Sequence, residues 1–169
     1  MTLKNDIRKI TPEVIRLRRK IHQHPERGFE EKKTAALIDQ VLSSHGIRHH
    51  RLCGTGVVGL IRGEKPGPTI LVRADMDGLP VLEENKVSYK SRIPGVMQAW
   101  GHDGHVAISL MAARLLQERR ASLCGNVKFM FQPAEEGPGG ADPMIRAGLL
   151  EKPKVDAAIA LHMWNELPT

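Results

Sequence analysis

The sequence predicts an α/β sandwich built on a largely parallel or mixed sheet, and three observations carry that reading. Segments with a helical apolar period alternate with short apolar runs of strand type. The residues able to do chemistry cluster just after those strand-type runs, where open α/β sheets present reactive groups on loops. No internal repeat or low-complexity stretch interrupts the alternation.

Taken in order, Thr11-Pro12-Glu13 reads as N-cap, first helical residue and first-turn acid, and Val14, Leu17 and Ile21 follow at helical spacing. The predicted helix runs from Pro12 to about Gln23. After a turn at His24-Pro25, Ala35, Ile38, Val41 and Leu42 mark a second helix that Gly46 can end. Val57 to Ile61 and Thr69 to Val72 are strand-type runs on either side of Gly63-Glu64-Lys65-Pro66-Gly67-Pro68, a strong turn signal, and are expected to be adjacent strands. From Gly104 or His105 to about Glu118, Ala107, Leu110, Met111 and Leu115 trace an amphipathic helix, and the strand Asn126 to Phe131 follows. A short helix from Pro143 to Ala147 and a strand from Ala157 to Leu161 complete the alternation. No closing helix follows in Asn165 to Thr169, so the sandwich is expected to be incomplete at its C-terminal side.

Composition narrows the function. With 41% hydrophobic and 26% charged residues the chain has the make-up of an ordinary globular protein, and no stretch reaches the roughly 20 apolar residues that span a bilayer. The charged N-terminus lacks the apolar core of a secretory signal, so a cytoplasmic location and no membrane partner are expected. Cys53 and Cys124 match no CxxC spacing and read as reduced thiols. The net charge of +6 has its densest run at Arg16 to Lys20, yet only 4% of residues are aromatic and no nucleic-acid motif is present. A solvated helix face is the better reading, and no nucleic-acid partner is expected. A preference for anionic small substrates remains compatible with the charge.

Four clusters carry the chemistry: Asp75-Met76-Asp77, His102-Asp103-Gly104-His105, Glu135-Glu136, and His162. Imidazole and carboxylate ligands suit Zn²⁺, Mn²⁺, Co²⁺ or Ni²⁺, and hydrolysis also requires a free carboxylate to take a proton from water. The adjacent glutamates can divide those two jobs. Each cluster alone also has an ordinary explanation, since a lone His is often a surface or capping residue, paired acids are usually a solvated face, and DxD can be a turn. Their joint position at successive strand ends favours the metal reading.

The segments "RRKIHQHPERGFEEKKTA", "GTGVVGLIRG", "ILVRADMDGLPVLEEN", "GHDGHVA" and the stretch from "FMFQPAEEGPGG" to "ALHMWNELPT" resemble the metal-dependent N-acyl-amino-acid amidohydrolases, the group of hippurate hydrolase and the auxin-conjugate hydrolases. The resemblance runs from about Leu17 to Thr169. It implies a three-layer α/β/α sandwich like the catalytic domain of zinc-dependent exopeptidases, present here as an N-terminal portion without the dimerisation (lid) domain or the C-terminal catalytic segment. It further implies hydrolysis of the amide bond of small N-acyl amino acids with a divalent metal, and homodimers among full-length relatives. By motif, His102, Glu136 and His162 would bind metal and Glu135 would be the general base. Asp75, Asp77 and Asp103 would orient ligand histidines or position the loop, and His105 would cap its helix or orient the loop.

The chain departs from the family pattern where a thiolate ligand is expected. Gln98-Ala99-Trp100-Gly101-His102-Asp103 stands where the family has His-Ala-Cys-Gly-His-Asp. An indole nitrogen has no lone pair for a metal, so Trp100 is an altered ligand position, and its ring is expected to occupy volume that the cluster would otherwise use. The alternative reading is therefore an inactive, truncated remnant that binds metal weakly or acts only with another chain.

Overall fold

The computed structural model describes residues 2–163. Met1 and residues 164–169 lie outside them, including the Asn165 to Thr169 segment on which the reading of an incomplete sandwich drew. Helices α1 (Leu3–His22), α2 (Lys32–Ser44), α3 (His102–Glu118) and α4 (Ala141–Arg146) alternate with strands β1 (Arg48–Leu52), β2 (Gly56–Arg62), β3 (Lys65–Asp75), β4 (Cys124–Gln132) and β5 (Ala157–Ala160). The strands form one mixed sheet in the order β1-β2-β4-β3-β5. Strands β4 and β5 both run parallel to β3, while β1 and β2 form an antiparallel pair at the other side.

Strand periodicity divides the core into two layers. Val57, Ile61, Ala74, Phe129 and Phe131 face one way and pack with Leu17, Ile38, Leu42, Val106 and Leu110 of α1, α2 and α3. Val58, Leu71 and Met130 face the other way and pack with Met144 of α4 and Leu149. The α/β/α sandwich expected from the resemblance is thus present, with three helices on one face and α4 on the other.

Several boundaries differ from the sequence reading. Helix α1 begins nine residues before Pro12. Pro12 removes one intrahelical hydrogen bond, but the extension buries Ile10 and lets Asp6 pair with Arg119 of the segment after α3. Strands β2 and β3 are not neighbours, because β4 lies between them. The Gly/Pro segment crosses the start of β4 instead of closing a hairpin: Gly63 N donates to Gly125 O at 2.8 Å and Lys65 N to Leu123 O at 3.2 Å. A Cβ on Gly63 would meet two backbone oxygens at 2.5 Å, so this crossing needs glycine. Strand β1 was not expected at all, and α3 starts at His102 rather than at Gly104 or His105.

Parallel strands place their carboxyl ends on one edge. Asp75 ends β3, Glu135-Glu136 follow β4 and His162 follows β5, while α3 delivers His102 and His105 from its first turn.

Candidate metal centre

Two groups converge at that edge. Asp75, His102, His105 and His162 offer ligand atoms within 4.8 Å of one another, and so do His102, Glu135 and Glu136. His102 belongs to both. Its Nδ1 donates to the Asp77 carbonyl at 2.9 Å, which leaves Nε2 with a lone pair. That Nε2 is buried and has no hydrogen-bond partner among the described residues. Around it stand Asp75 Oδ1 at 3.8 Å, Glu136 Oε1 at 3.8 Å and Glu135 Oε2 at 4.0 Å. Ligand atoms about 2 Å from a shared cation lie only 3 to 4 Å apart, so this donor set fits a divalent ion.

The supporting residues fix the donors. Asp77 Oδ2 accepts from Glu136 N at 3.0 Å while its carbonyl orients His102, so one residue locks both. His105 does not cap its helix. Its Nδ1 donates to Asp75 Oδ1 at 2.5 Å, and its Nε2 accepts from Met163 N at 2.9 Å. His162 is exposed, with its ring 4.6 Å from that of His105 and 5.8 Å from that of His102. Asp103 faces away from the cluster. It accepts from Arg18 Nε at 2.9 Å and His22 Nδ1 at 2.7 Å, and so ties α1 to the start of α3.

Charge explains the protonation of the site. Burial alone would lower the pKa of His102, but the hydrogen bond to Asp77 and the charges of Asp75 and Asp77 raise it above 6.5. Burial would raise Asp75, yet the His105 hydrogen bond and the charges of His102 and Arg73 hold it below the usual carboxylate range. Glu136 is pushed up, first by burial and then by the charge of Glu135. A bound cation would reverse that last shift.

Trp100 does not fill the cluster. It is 44% exposed and lines a surface pocket of about 320 Å³ with Arg18, His22, Gln98, Gly101 and Met163. Gln98 is buried and donates from Nε2 to the Met76 carbonyl at 3.1 Å.

Sequence reasoning missed three contributors. Arg73 lies beside Asp75 and 3.6 Å from Glu135, and donates from Nε to Gln132 at 2.8 Å. His22 joins Asp103 to Glu83, and Glu31 bonds the amide before Glu135. Nothing local marks Glu31 or His22, since both sit in charged stretches that look solvated. The one available signal for Arg73 was its alternation with Asp75 at the end of a strand.

The fold and the site together define an α/β protein that gathers imidazole and carboxylate groups for a divalent cation at the carboxyl ends of its parallel strands. Residues 71–169 match the model of Peptidase family M20/M25/M40, and the chain belongs to that family. It is 45% identical over 171 residues to thermostable carboxypeptidase 2 of Saccharolobus solfataricus, covering 99% of this chain and 43% of the relative. It is 41% identical to an N-acyl-L-amino acid amidohydrolase of Geobacillus stearothermophilus, covering 98% of this chain and 45% of the relative. It superimposes with a TM-score of 0.90 and 39% identity on the YXEP protein of Bacillus subtilis, described as a dinuclear metal binding peptidase, covering 95% of this chain and 45% of that one. The chain therefore spans less than half the length of these relatives.

Proposed function

We propose that this chain is the N-terminal portion of a catalytic domain that hydrolyses the amide bond of N-acyl amino acids with a divalent metal. One observation carries the reading: the buried Nε2 of His102, without a hydrogen-bond partner among the described residues, faces three carboxylate oxygens at 3.8 to 4.0 Å. Arg73 offsets part of the repulsion from its side of Asp75 and Glu135, and a cation beside His102 Nε2 would offset the rest. Names given to relatives, amidohydrolase and carboxypeptidase, share an amide whose nitrogen belongs to an amino acid, and this supports the substrate class.

In this reading His102, Glu136 and His162 hold the metal, which when bound supplies Lewis-acid polarisation of the scissile carbonyl and acidifies water. Glu135 takes a proton from the attacking water onto a carboxylate oxygen. As the C–N bond breaks, Glu135 returns that proton to the leaving amine nitrogen. The Arg73 guanidinium lies 3.6 Å from Glu135 and helps hold that carboxylate at the edge of the site. Asp77 and Asp75 hold His102 and His105 in place. The exposed strand β5, with Ile159 at 55% exposure, fits a surface that further polypeptide of the catalytic domain covers.

Trp100 favours a second reading, a metal-binding chain that does not turn over substrate, because an indole cannot stand in for a thiolate. Calorimetric titration with Mn²⁺ and hydrolysis of N-acetyl and N-benzoyl amino acids test both. Glu136→Ala and His162→Ala are expected to weaken metal binding, while Glu135→Gln leaves binding nearly intact and removes turnover. Equal loss of affinity in all three variants would end the division of labour between the glutamates. Metal binding without turnover even when the chain is joined to the remaining catalytic-domain sequence of a relative would select the second reading.

A further inference from the structure

The loop that carries Glu135 and Glu136 turns on a single residue, Ala134. This alanine adopts φ +50, a left-handed conformation that a residue with a Cβ rarely takes without support. It is completely buried and held from three directions. Its N–H donates to Glu31 Oε1 at 2.8 Å. Its carbonyl accepts from Gly139 N and Gly140 N, each at 3.1 Å, which closes the loop on the far side of the glutamates. Its Cβ rests against Gly28, where a side chain would meet the Ala134 Cβ at 2.8 Å and its Cα at 2.9 Å.

Glu31 is the fixed point of this arrangement. The side chain is fully buried, at 0% exposure, and its second oxygen accepts from Thr55 Oγ1 at 2.6 Å. Thr55 lies just before β2, and Glu31 itself stands at the start of α2, so the carboxylate joins a helix, a strand and the loop after β4. A buried carboxylate is costly unless its oxygens are satisfied, and here one of them is spent on a residue in a strained conformation next to the proposed base.

We propose that Glu31 is a positioning residue for the carboxylate pair, fixing Ala134 through its amide so that Glu135 and Glu136 point at His102. The role rests on the reading of Glu136 as a metal ligand. Glu31 touches neither metal nor substrate, and acts only through the loop.

Mn²⁺ titration of the whole chain tests it, with each variant's melting curve recorded under the same conditions. Glu31→Met keeps the reach of the side chain but offers no acceptor, and it is expected to lower Mn²⁺ affinity by roughly 10 to 100-fold while the protein remains folded. Glu31→Gln is expected to bind close to the parent, because its amide oxygen can still accept from Ala134 and its NH₂ can donate to Thr55. Gly28→Ala pushes Ala134 from the opposite side with Glu31 intact, is expected to weaken binding as well, and decides the matter if Glu31→Met does not fold. Parent-like affinity in Glu31→Met or, where that fails to fold, in Gly28→Ala overturns the role. So does a Glu31→Gln variant as impaired as Glu31→Met, which would mean that charge rather than loop position matters. Glu136→Ala run beside them separates the two levels: if it binds like the parent, the ligand reading itself has failed and the positioning role falls with it.

Discussion

Residue-scale chemistry explains why so much charge is buried near the site. His22 is 3% exposed, and both ring nitrogens face carboxylates, Asp103 at 2.7 Å and Glu83 at 3.1 Å. Burial alone would lower its pKa, but the hydrogen bonds and charges of Asp103 and Glu83 together raise it above 6.5. A histidine whose folded pKa is raised contributes stability that is fully present below the unfolded value and is lost as pH rises through the folded one. The melting temperature of the parent is therefore expected to fall, relative to that of His22→Gln, as pH increases upward from about 6.5. Parallel curves for the two proteins would show that the imidazolium is not what joins α1 to α3. This network was illegible in the sequence, because the partners are more than sixty residues apart and each lies in a stretch rich in charge. The metal-binding candidates were legible for the opposite reason: His102, Glu136 and His162 combine ligand chemistry with positions directly beside predicted elements.

Elements were read well where packing follows period and poorly where it does not. Helix α2 is legible because its buried residues recur at the spacing of one helical face, and strands β2, β3 and β4 because they carry short apolar runs that fill both layers of the core. Strand β1 escaped because Arg48-His49-His50-Arg51 shows no apolar alternation, as an edge strand with mostly solvent-facing side chains allows. The neighbours of β2 and β3 were misassigned because the sequence between them reads as a hairpin turn, whereas strand order is decided by the distant β4. Lys128 shows how an apparent conflict is resolved at this scale. It lies on the α4 face of β4, 3% exposed, and its ammonium donates to the carbonyls of Leu149, Glu151 and Pro153 at 2.7, 2.8 and 2.9 Å. Those bonds hold the segment between α4 and β5. Lys128→Met leaves three carbonyls without this donor and is expected to cost about 3 kcal/mol, read as a lower urea midpoint. Its Mn²⁺ affinity is expected to be unchanged, since the loop it secures leads into the opposite end of β5 from His162. A parent-like midpoint would contradict the role of this lysine.

For the whole molecule, the sheet ends differ. Strand β5 pairs with β3, and its residues are all exposed, with Ile159 at 55%; Leu161 beyond it is at 74% and Ile108 of α3 at 46%. An apolar strand edge of this kind is a template for pairing with another chain. Light scattering of the isolated chain is expected to show association that increases with concentration, and Ile159→Lys is expected to reduce it. A monodisperse monomer at every concentration would show that this face is stable in water as it stands. The same geometry explains why the site sits where it does: β3, β4 and β5 run parallel, so their carboxyl ends meet at one edge and deliver Asp75, Glu135-Glu136 and His162 around the first turn of α3. The claim that this edge is a metal centre is tested most directly by anomalous X-ray diffraction from crystals grown with Mn²⁺. An anomalous peak is expected about 2 Å from His102 Nε2 and from a Glu136 carboxylate oxygen, lost in Glu136→Ala. No peak at His102, or a peak bound only by residues outside Asp75, His102, Glu135, Glu136 and His162, would contradict it.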